Sequence, residues 1–347
     1  MPHQFHEQLK PAELKNTSYG FFTTESGTSE GAYVIAGEKT RNVNLFSPFT
    51  RADLQKLKLP ETATDMLETP HRIVSNLVAC FAELSLRADF AHKFVMTSNY
   101  GAGGVRVLCA HNTEALVALK QLSLDELEKS GLHEDMQKEL AKAKICVIKA
   151  DALVFKGIPE EEILAGGASG DAHPIVLLDD KNKVCAYISG AHAALKGNVI
   201  EETIKTMIEA GAVAENIRLV IGPGLGKRSY EFGDNAAAYL GVPDDQVDRV
   251  NNPEKRLLDI HKIVRFMALC YLRPDQVLNM DLNTMGFDLY DAAGNRKASV
   301  DFVALNKEGP LFFSARREMM SKEGMTAENT GLHNTVGRHF AGMGVRG

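Results

Sequence analysis

The stretch "HPIVLLDDKNKVCAYIS", His173 to Ser189, sets two apolar runs on either side of a charged turn, DDKNK. Apolar runs of this length bounded by turn residues read as buried strands joined in a hairpin. Upstream, "KICVIKADALVF" (Lys144 to Phe155) is a further apolar stretch of the same kind. Downstream, "NVIEETIKTMIEAGA" places Ile200, Ile204, Met207 and Ile208 on one helical face, with Asn198 as a cap and Gly211 as a left-handed stop. "IRLVIG" (Ile217 to Gly222) is the next buried strand. Strands alternating with helices predict an α/β fold in one continuous domain.

The flanks fit the same alternation. "RIVSNLVACFAELSL" (Arg72 to Leu86) spaces Ile73, Leu77, Phe81 and Leu84 as a helix would. "KFVMTSNYGAGGVRVL" (Lys93 to Leu108) predicts two strands around a loop at Ser98 to Gly104. Ser123 to Lys144 predicts one charged helix, with Asp125 and Glu126 early and lysines late, as the helix dipole favours. "YGFFTTESGTSEGAY" (Tyr19 to Tyr33) reads as a short strand running into a tight loop. The polar stretch behind it carries Pro60 and Pro70 as breakers.

Composition narrows the function. The chain has 347 residues, 44% of them hydrophobic, with a formal charge of −6 and a pI near 6.0. An acidic balance argues against non-specific nucleic-acid binding, which needs a basic footprint. No window approaches the roughly 18 apolar residues of a membrane span, and "MPHQFHEQLKPAELKN" has no apolar signal core. The five cysteines are scattered without C-x-x-C spacing. They read as buried thiols of a reducing compartment, and a cytoplasmic location is expected.

Four local patterns carry chemistry, each with two readings. In "GPGLGKRSYEFG" (Gly222 to Gly233), Gly222, Gly224 and Gly226 would let the backbone approach a ligand, with Lys227 and Arg228 adding charge. Alternatively they are turn glycines at positive φ. The spacing is neither a P-loop nor a dinucleotide fingerprint, so no nucleotide cofactor is expected. In "LFFSARRE", Arg316 and Arg317 would hold a phosphate or carboxylate, or form a solvated strand end. In "YISGAHAALKGN", His192 sits where a strand gives way to a helix, a common place for a ligand crevice, or it satisfies the turn. In "GDAHP", Asp171 and His173 are an acid/base pair or ligands, or an Asp turn before an extended pre-proline residue.

Taken in order, these motifs resemble the polyphenol oxidase/laccase-domain family of purine nucleoside phosphorylases. "GFFTTESGTSEGAY" is similar to the family's G-F-F-T-R-x-G-G-V-S-x-G-x-Y opening, and "IGPGLGKRSYEFG" to its I-G-P-x-I-G-x-x-x-Y-E-V-G. "RIVSNLVACFAEL", "ADALVF", "GDAHPIVLLDD", "SGAHAALKG", "FFSARRE" and "VGRHFAGMGV" extend the likeness from about Tyr19 to the end. It leaves residues 1–18 as an extension of a domain over 19–347, with insertions near 36–70 and 112–143. The resemblance implies a layered α/β/β/α domain with mixed sheets, related to the cytotoxic-necrotizing-factor toxin domain. It also implies phosphorolysis of adenosine, inosine or guanosine.

The same resemblance implies a zinc ion on two histidines and a cysteine, in Q-V-H, A-D-C-x-P and H-A-G-W-R-G motifs. Here those positions read Tyr100, Ala172 and His192, while Trp and Arg of the last motif become Leu195 and Lys196. Thr24, Ser26 and Ala315 depart from the pattern as well. A catalytic zinc needs about three protein ligands, so the zinc is expected to be absent. His192 and His173 remain as the metal-ligand candidates, although alternation turns His173 away from position 172. In a catalytic version Lys196, Arg316 and Arg317 hold the phosphate, the Gly222 to Gly226 backbone and Tyr230 line the substrate, and Asp171 or His192 supplies a proton. The other expectation is a non-catalytic protein binding a nucleoside-like ligand or a protein partner. Copper-dependent phenol oxidation lacks the His and Cys clusters it would need.

Overall fold

A computed structural model describes residues 14–22, 45, 70–85, 91–97, 104–297, 314, 316 and 338–347. The hairpin is its centre. β7 (His173–Asp179) and β8 (Val184–Gly190) pair antiparallel, with Ile175 opposite Ile188. β9 (Arg218–Ile221) flanks β7, β13 (Val277–Asn279) flanks β9, and β5 (Ala152–Lys156) and β3 (Val107–Ala110) complete a six-stranded mixed sheet, β13-β9-β7-β8-β5-β3.

A strand buried on both faces has no polar side, which explains why β7 reads as an unbroken apolar run. Ile175 and Leu177 point to one face, where they meet Ile200, Ile204 and Met207 of α5 (Val199–Glu209) and Ile263 and Val264 of α7 (Ile260–Ala268). Val176 and Leu178 point to the other and meet Phe94, Ile163 and Met343 of a second sheet. That sheet is five-stranded, β1-β14-β6-β2-β4, from β1 (Thr17–Phe21), β2 (His92–Thr97), β4 (Ile145–Lys149), β6 (Glu162–Ser169) and β14 (His339–Arg346). Its outer face is covered by α1 (Pro70–Leu84) and α3 (Glu134–Lys142) through Leu77, Phe81, Met136 and Leu140. The layers therefore run α/β/β/α, as expected. A small three-stranded sheet, β10 (Glu231–Gly233), β12 (Lys255–Leu258) and β11 (Val247–Arg249), stands beside them.

Several local expectations change. "KICVIKADALVF" does form two strands, but β4 and β5 belong to different sheets, and so do β2 and β3. The expected helix from Ser123 to Lys144 is two helices, α2 (Thr113–Glu128) and α3. The chain breaks at Gly131, whose φ of 68° lies in the left-handed region, and the Asn112 and His133 side chains cap the two starts. Asn198 does not cap α5 with its side chain; it sits at φ 60° in the left-handed region. Ile208 is exposed, and the buried face is instead Val199, Ile200, Thr203, Ile204 and Met207, with the Thr203 hydroxyl donating to the Val199 carbonyl at 2.7 Å. Gly211 does end the helix at φ 101°.

The turn of the hairpin also anchors the start of the chain. The Asp180 carboxylate accepts from the amides of Lys15, Asn16 and Thr17 (3.0, 2.8 and 2.8 Å) and from the Thr17 hydroxyl at 2.9 Å. It thereby ties β1, an edge strand of one sheet, to the six-stranded sheet. Asp180→Ala is expected to cost about 2 kcal/mol, read as a lower urea midpoint. An unchanged midpoint would mean that water replaces these bonds at no cost.

Candidate functional site

β8 ends at Gly190, where a Cβ would fall 2.5 Å from the His173 carbonyl oxygen, so a small residue is required there. Ala191 then turns the chain into a five-residue helix, α4 (His192–Lys196). This is the structural basis of the small residues around His192. Leu195, at the family's tryptophan position, is fully buried in the core, and Lys196 is exposed.

His192 is half-buried at the first position of α4, with Nδ1 3.1 Å from the Tyr230 hydroxyl. Its ring centre lies 5.6 Å from that of Phe232 and 5.8 Å from that of Tyr239, and these two are 5.2 Å apart. Tyr239 belongs to a second short helix, α6 (Ala236–Leu240). The Lys196 ammonium stands 4.5 Å above the Tyr239 ring, a cation–π contact. Burial lowers the His192 pKa below the usual imidazole value, which favours the neutral ring. A neutral imidazole bonded to Tyr230 through Nδ1 keeps Nε2 for a ligand, as donor or acceptor according to tautomer. The group is an aromatic surface with one imidazole and one cation.

Asp171 stands in a separate group. Its Oδ1 accepts from the hydroxyls of Thr284 (3.0 Å) and Ser314 (2.7 Å), and Oδ2 accepts from the Arg316 amide at 2.7 Å. Desolvation raises its pKa above the usual carboxylate value, and these donors only partly offset the effect. Arg316 turns its guanidinium to Glu231, 3.4 Å away, and to the Ser229 carbonyl. The segment between the two groups alternates: Tyr230 serves His192, while Ser229 and Glu231 face Arg316. The structure thus brings His192, Tyr230 and Lys196 together, and Asp171 with Arg316. Tyr100 and Arg317, and with them Thr24, Ser26 and Ala315, lie outside the described residues.

The glycine-rich loop does not need its glycines as turn residues at positive φ. None of Gly222, Gly224 and Gly226 has a positive φ. Their amides donate to the Pro174 carbonyl, the Leu282 carbonyl and the Asn283 side chain, which leaves no N–H for an anion. Each glycine is needed because another part of the chain fills the space of its missing side chain: Phe21 at Gly222, His173 at Gly224 and Asn283 at Gly226. The loop is a packing junction.

The residues present do not fit the zinc site that the resemblance implies. Ala172 has no donor atom, and its carbonyl is taken by the Ser169 hydroxyl. His173 does not join His192. It lies on the same face of β7 as Ile175 and meets His261 of α7, ring centres 4.7 Å apart and planes at 85°. Among the described residues no group of three or more His, Cys, Asp or Glu side chains could hold a metal ion. His261, Phe232, Tyr239, Thr284 and Ser314 were not identified by sequence reasoning. Phe232 lay inside a quoted motif, and Asp259, whose side chain caps α7, marked the helix that carries His261.

Four layers around two mixed sheets define an α/β/β/α class. The chain belongs to the family described as multi-copper polyphenol oxidoreductase laccase, which matches residues 98–332. It is similar to a purine nucleoside phosphorylase of Deinococcus radiodurans, 34% identical over 81 residues. That match covers 22% of this chain and 31% of the relative, so it spans about a third of the relative's length. Among solved structures, YlmD of Geobacillus stearothermophilus superposes with a TM-score of 0.57 at 15% identity, covering 96% of this chain and 93% of that one. The Bacillus licheniformis hypothetical protein YfiH gives 0.54 at 15% identity, covering 95% and 93%. Likeness at this identity shows the fold. No helix among the described residues is long and apolar enough to cross a membrane.

Proposed function

We propose that this protein is a diverged, purine-nucleoside-phosphorylase-like member of the family that binds a nucleoside-like ligand without the family's zinc-dependent turnover. The observation that carries this reading is the environment of His192: its Nδ1 faces the Tyr230 hydroxyl and its neighbours are aromatic rings, at the position where the resemblance would put a metal ligand. Rings that present a π-face beside a neutral imidazole suit a planar heterocycle, and Lys196 adds a cation at the rim for a polar substituent. The missing donor at Ala172 and the internally bonded amides of the glycine loop support the loss of turnover.

The test is a pair of measurements on the full chain. Incubation of adenosine, inosine or guanosine with millimolar phosphate is expected to release no free base. Calorimetric titration with the same nucleosides is expected to show binding that Tyr239→Ala weakens about tenfold, the loss of one stacking contact. Base release at a rate proportional to protein would overturn the non-catalytic reading, and absence of binding to all three would overturn the ligand class.

A further inference from the structure

A pair of imidazoles outside the His192 group is left chemically incomplete. His173 is 1% exposed, and neither of its ring nitrogens has a hydrogen-bond partner among the described residues; the same holds for Nε2 of His261, also buried. Every imidazole carries at least one donor, and in its neutral form one acceptor, so buried rings are ordinarily bonded at one nitrogen or both. Here three buried nitrogens on two touching rings are free at once.

The two rings come from rigid elements, the first residue of β7 and the first turn of α7, where the Asp259 side chain caps the helix by accepting from the Lys262 amide at 3.1 Å. Two imidazoles sharing one tetrahedral ion at about 2.0–2.1 Å from each nitrogen have ring centres roughly 5 Å apart. The observed 4.7 Å is close to that separation. A Cβ added at Gly224 would fall 2.3–2.4 Å from the Nδ1, Cε1 and Cγ atoms of His173, so the loop backbone packs closely against that part of the ring and away from Nε2. On His261 the far nitrogen, Nδ1, is 3.7 Å from the Asp281 carboxylate. Asp281 is held in the left-handed region, at φ 51°, two residues beyond the end of β13. A carboxylate on that side of the ring favours the tautomer with its proton on Nδ1, which would leave Nε2 as the lone-pair nitrogen a metal needs.

We propose that His173 and His261 form a binding site for a late first-row divalent metal ion, with Asp281 as the outer carboxylate that orients His261. Imidazole pairs suit Zn²⁺, Cu²⁺ and Ni²⁺ rather than Mg²⁺ or Ca²⁺, which prefer oxygen. Two protein ligands leave the remaining positions to water or an anionic ligand. The site is distinct from the family's metal position at His192, and it is independent of the proposed nucleoside binding because ion binding is measured with no nucleoside present.

The experiment uses the full chain, untagged and stripped with a chelator, titrated with Co²⁺ and then Zn²⁺ against a chromophoric competitor. One ion per chain is expected, with a Co²⁺ d–d absorption that Zn²⁺ displaces. His261→Gln is expected to lower affinity by about 100-fold and Asp281→Asn by about 10-fold. His173→Gln serves as a second ligand variant, and far-ultraviolet circular dichroism identifies any variant that fails to fold. His192→Ala is expected to leave ion affinity unchanged. The proposal is overturned by an absence of stoichiometric binding, by equal affinity in His261→Gln, which would place the ion on other histidines, or by loss of the ion in His192→Ala.

Discussion

Gly224→Ala is expected to destabilise the fold by about 3 kcal/mol, at the upper end for overpacking a buried site. A Cβ there would fall 2.3 Å from His173 Nδ1 and 2.4 Å from Cε1 and Cγ, separations that real Cβ atoms essentially never show. The backbone cannot retreat, because the Gly224 amide donates to the Leu282 carbonyl at 3.1 Å and its carbonyl accepts from the Thr284 amide at 2.8 Å. The ring cannot retreat either, since His261 stands at 4.7 Å on another side. Gly224 is not in the left-handed region, so the cost is steric and comes from a single neighbour. That makes it reversible: in Gly224→Ala/His173→Ala the smaller side chain at 173 removes the clash, and the two changes are expected to cost about 1–3 kcal/mol less together than their sum. Urea unfolding of the four proteins closes the cycle. A strictly additive result would show that His173 is not seated against the loop.

This junction illustrates what the sequence could and could not convey. Alternation along β7 is local, and from it alone His173 belongs with Ile175 and Leu177 and away from position 172. The partner on that face comes from α7, nearly ninety residues on, and "DIHKIV" contains nothing that marks its histidine as a neighbour of the first. The same limit explains the strands. The apolar runs of β4 and β5 were legible, since largely buried strands carry few polar residues, but membership in one sheet or another is decided by pairing with β2 for β4 and with β3 and β8 for β5, and no short window records it. The glycines at 222, 224 and 226 were visible as a requirement. Whether a ligand, a turn or a packed side chain imposes it depends on what occupies the missing Cβ's place. His192 was legible because family order placed it; its aromatic surroundings assemble from β10 and α6, whose residues have no shared spacing with it.

Asp171→Ala is expected to cost a similar amount, about 3 kcal/mol, because three donors lose a part-buried acceptor at once. The Ser314 hydroxyl is fully buried. The Arg316 amide loses its 2.7 Å bond, so its hydrogen exchange is expected to accelerate, a readout specific to this tether. Asp171→Asn separates charge from hydrogen bonding. The amide oxygen still accepts from Thr284 and Ser314, whereas the amide nitrogen meets the Arg316 N–H as a second donor, and a cost of about 1–2 kcal/mol is expected. The pH dependence gives the sign. Burial raises the Asp171 pKa above its unfolded value of 3.8, so the folded state takes up this proton first. The contribution is fully present below 3.8 and is lost as pH rises through the folded value, which leaves wild type with the cost of a buried charge at pH 7. Acidification therefore relieves wild type and not Asp171→Asn, and the gap between them should widen between pH 7 and pH 4. His173 acts with the opposite sign in both proteins and cancels from the comparison: burial, and secondarily the neighbouring His261, hold its pKa well below 6.5, so stability is lost as pH falls from 6.5 towards the folded value. A gap that stays constant with pH would mean that the Asp171 carboxylate is solvated and its three bonds are exchangeable with water.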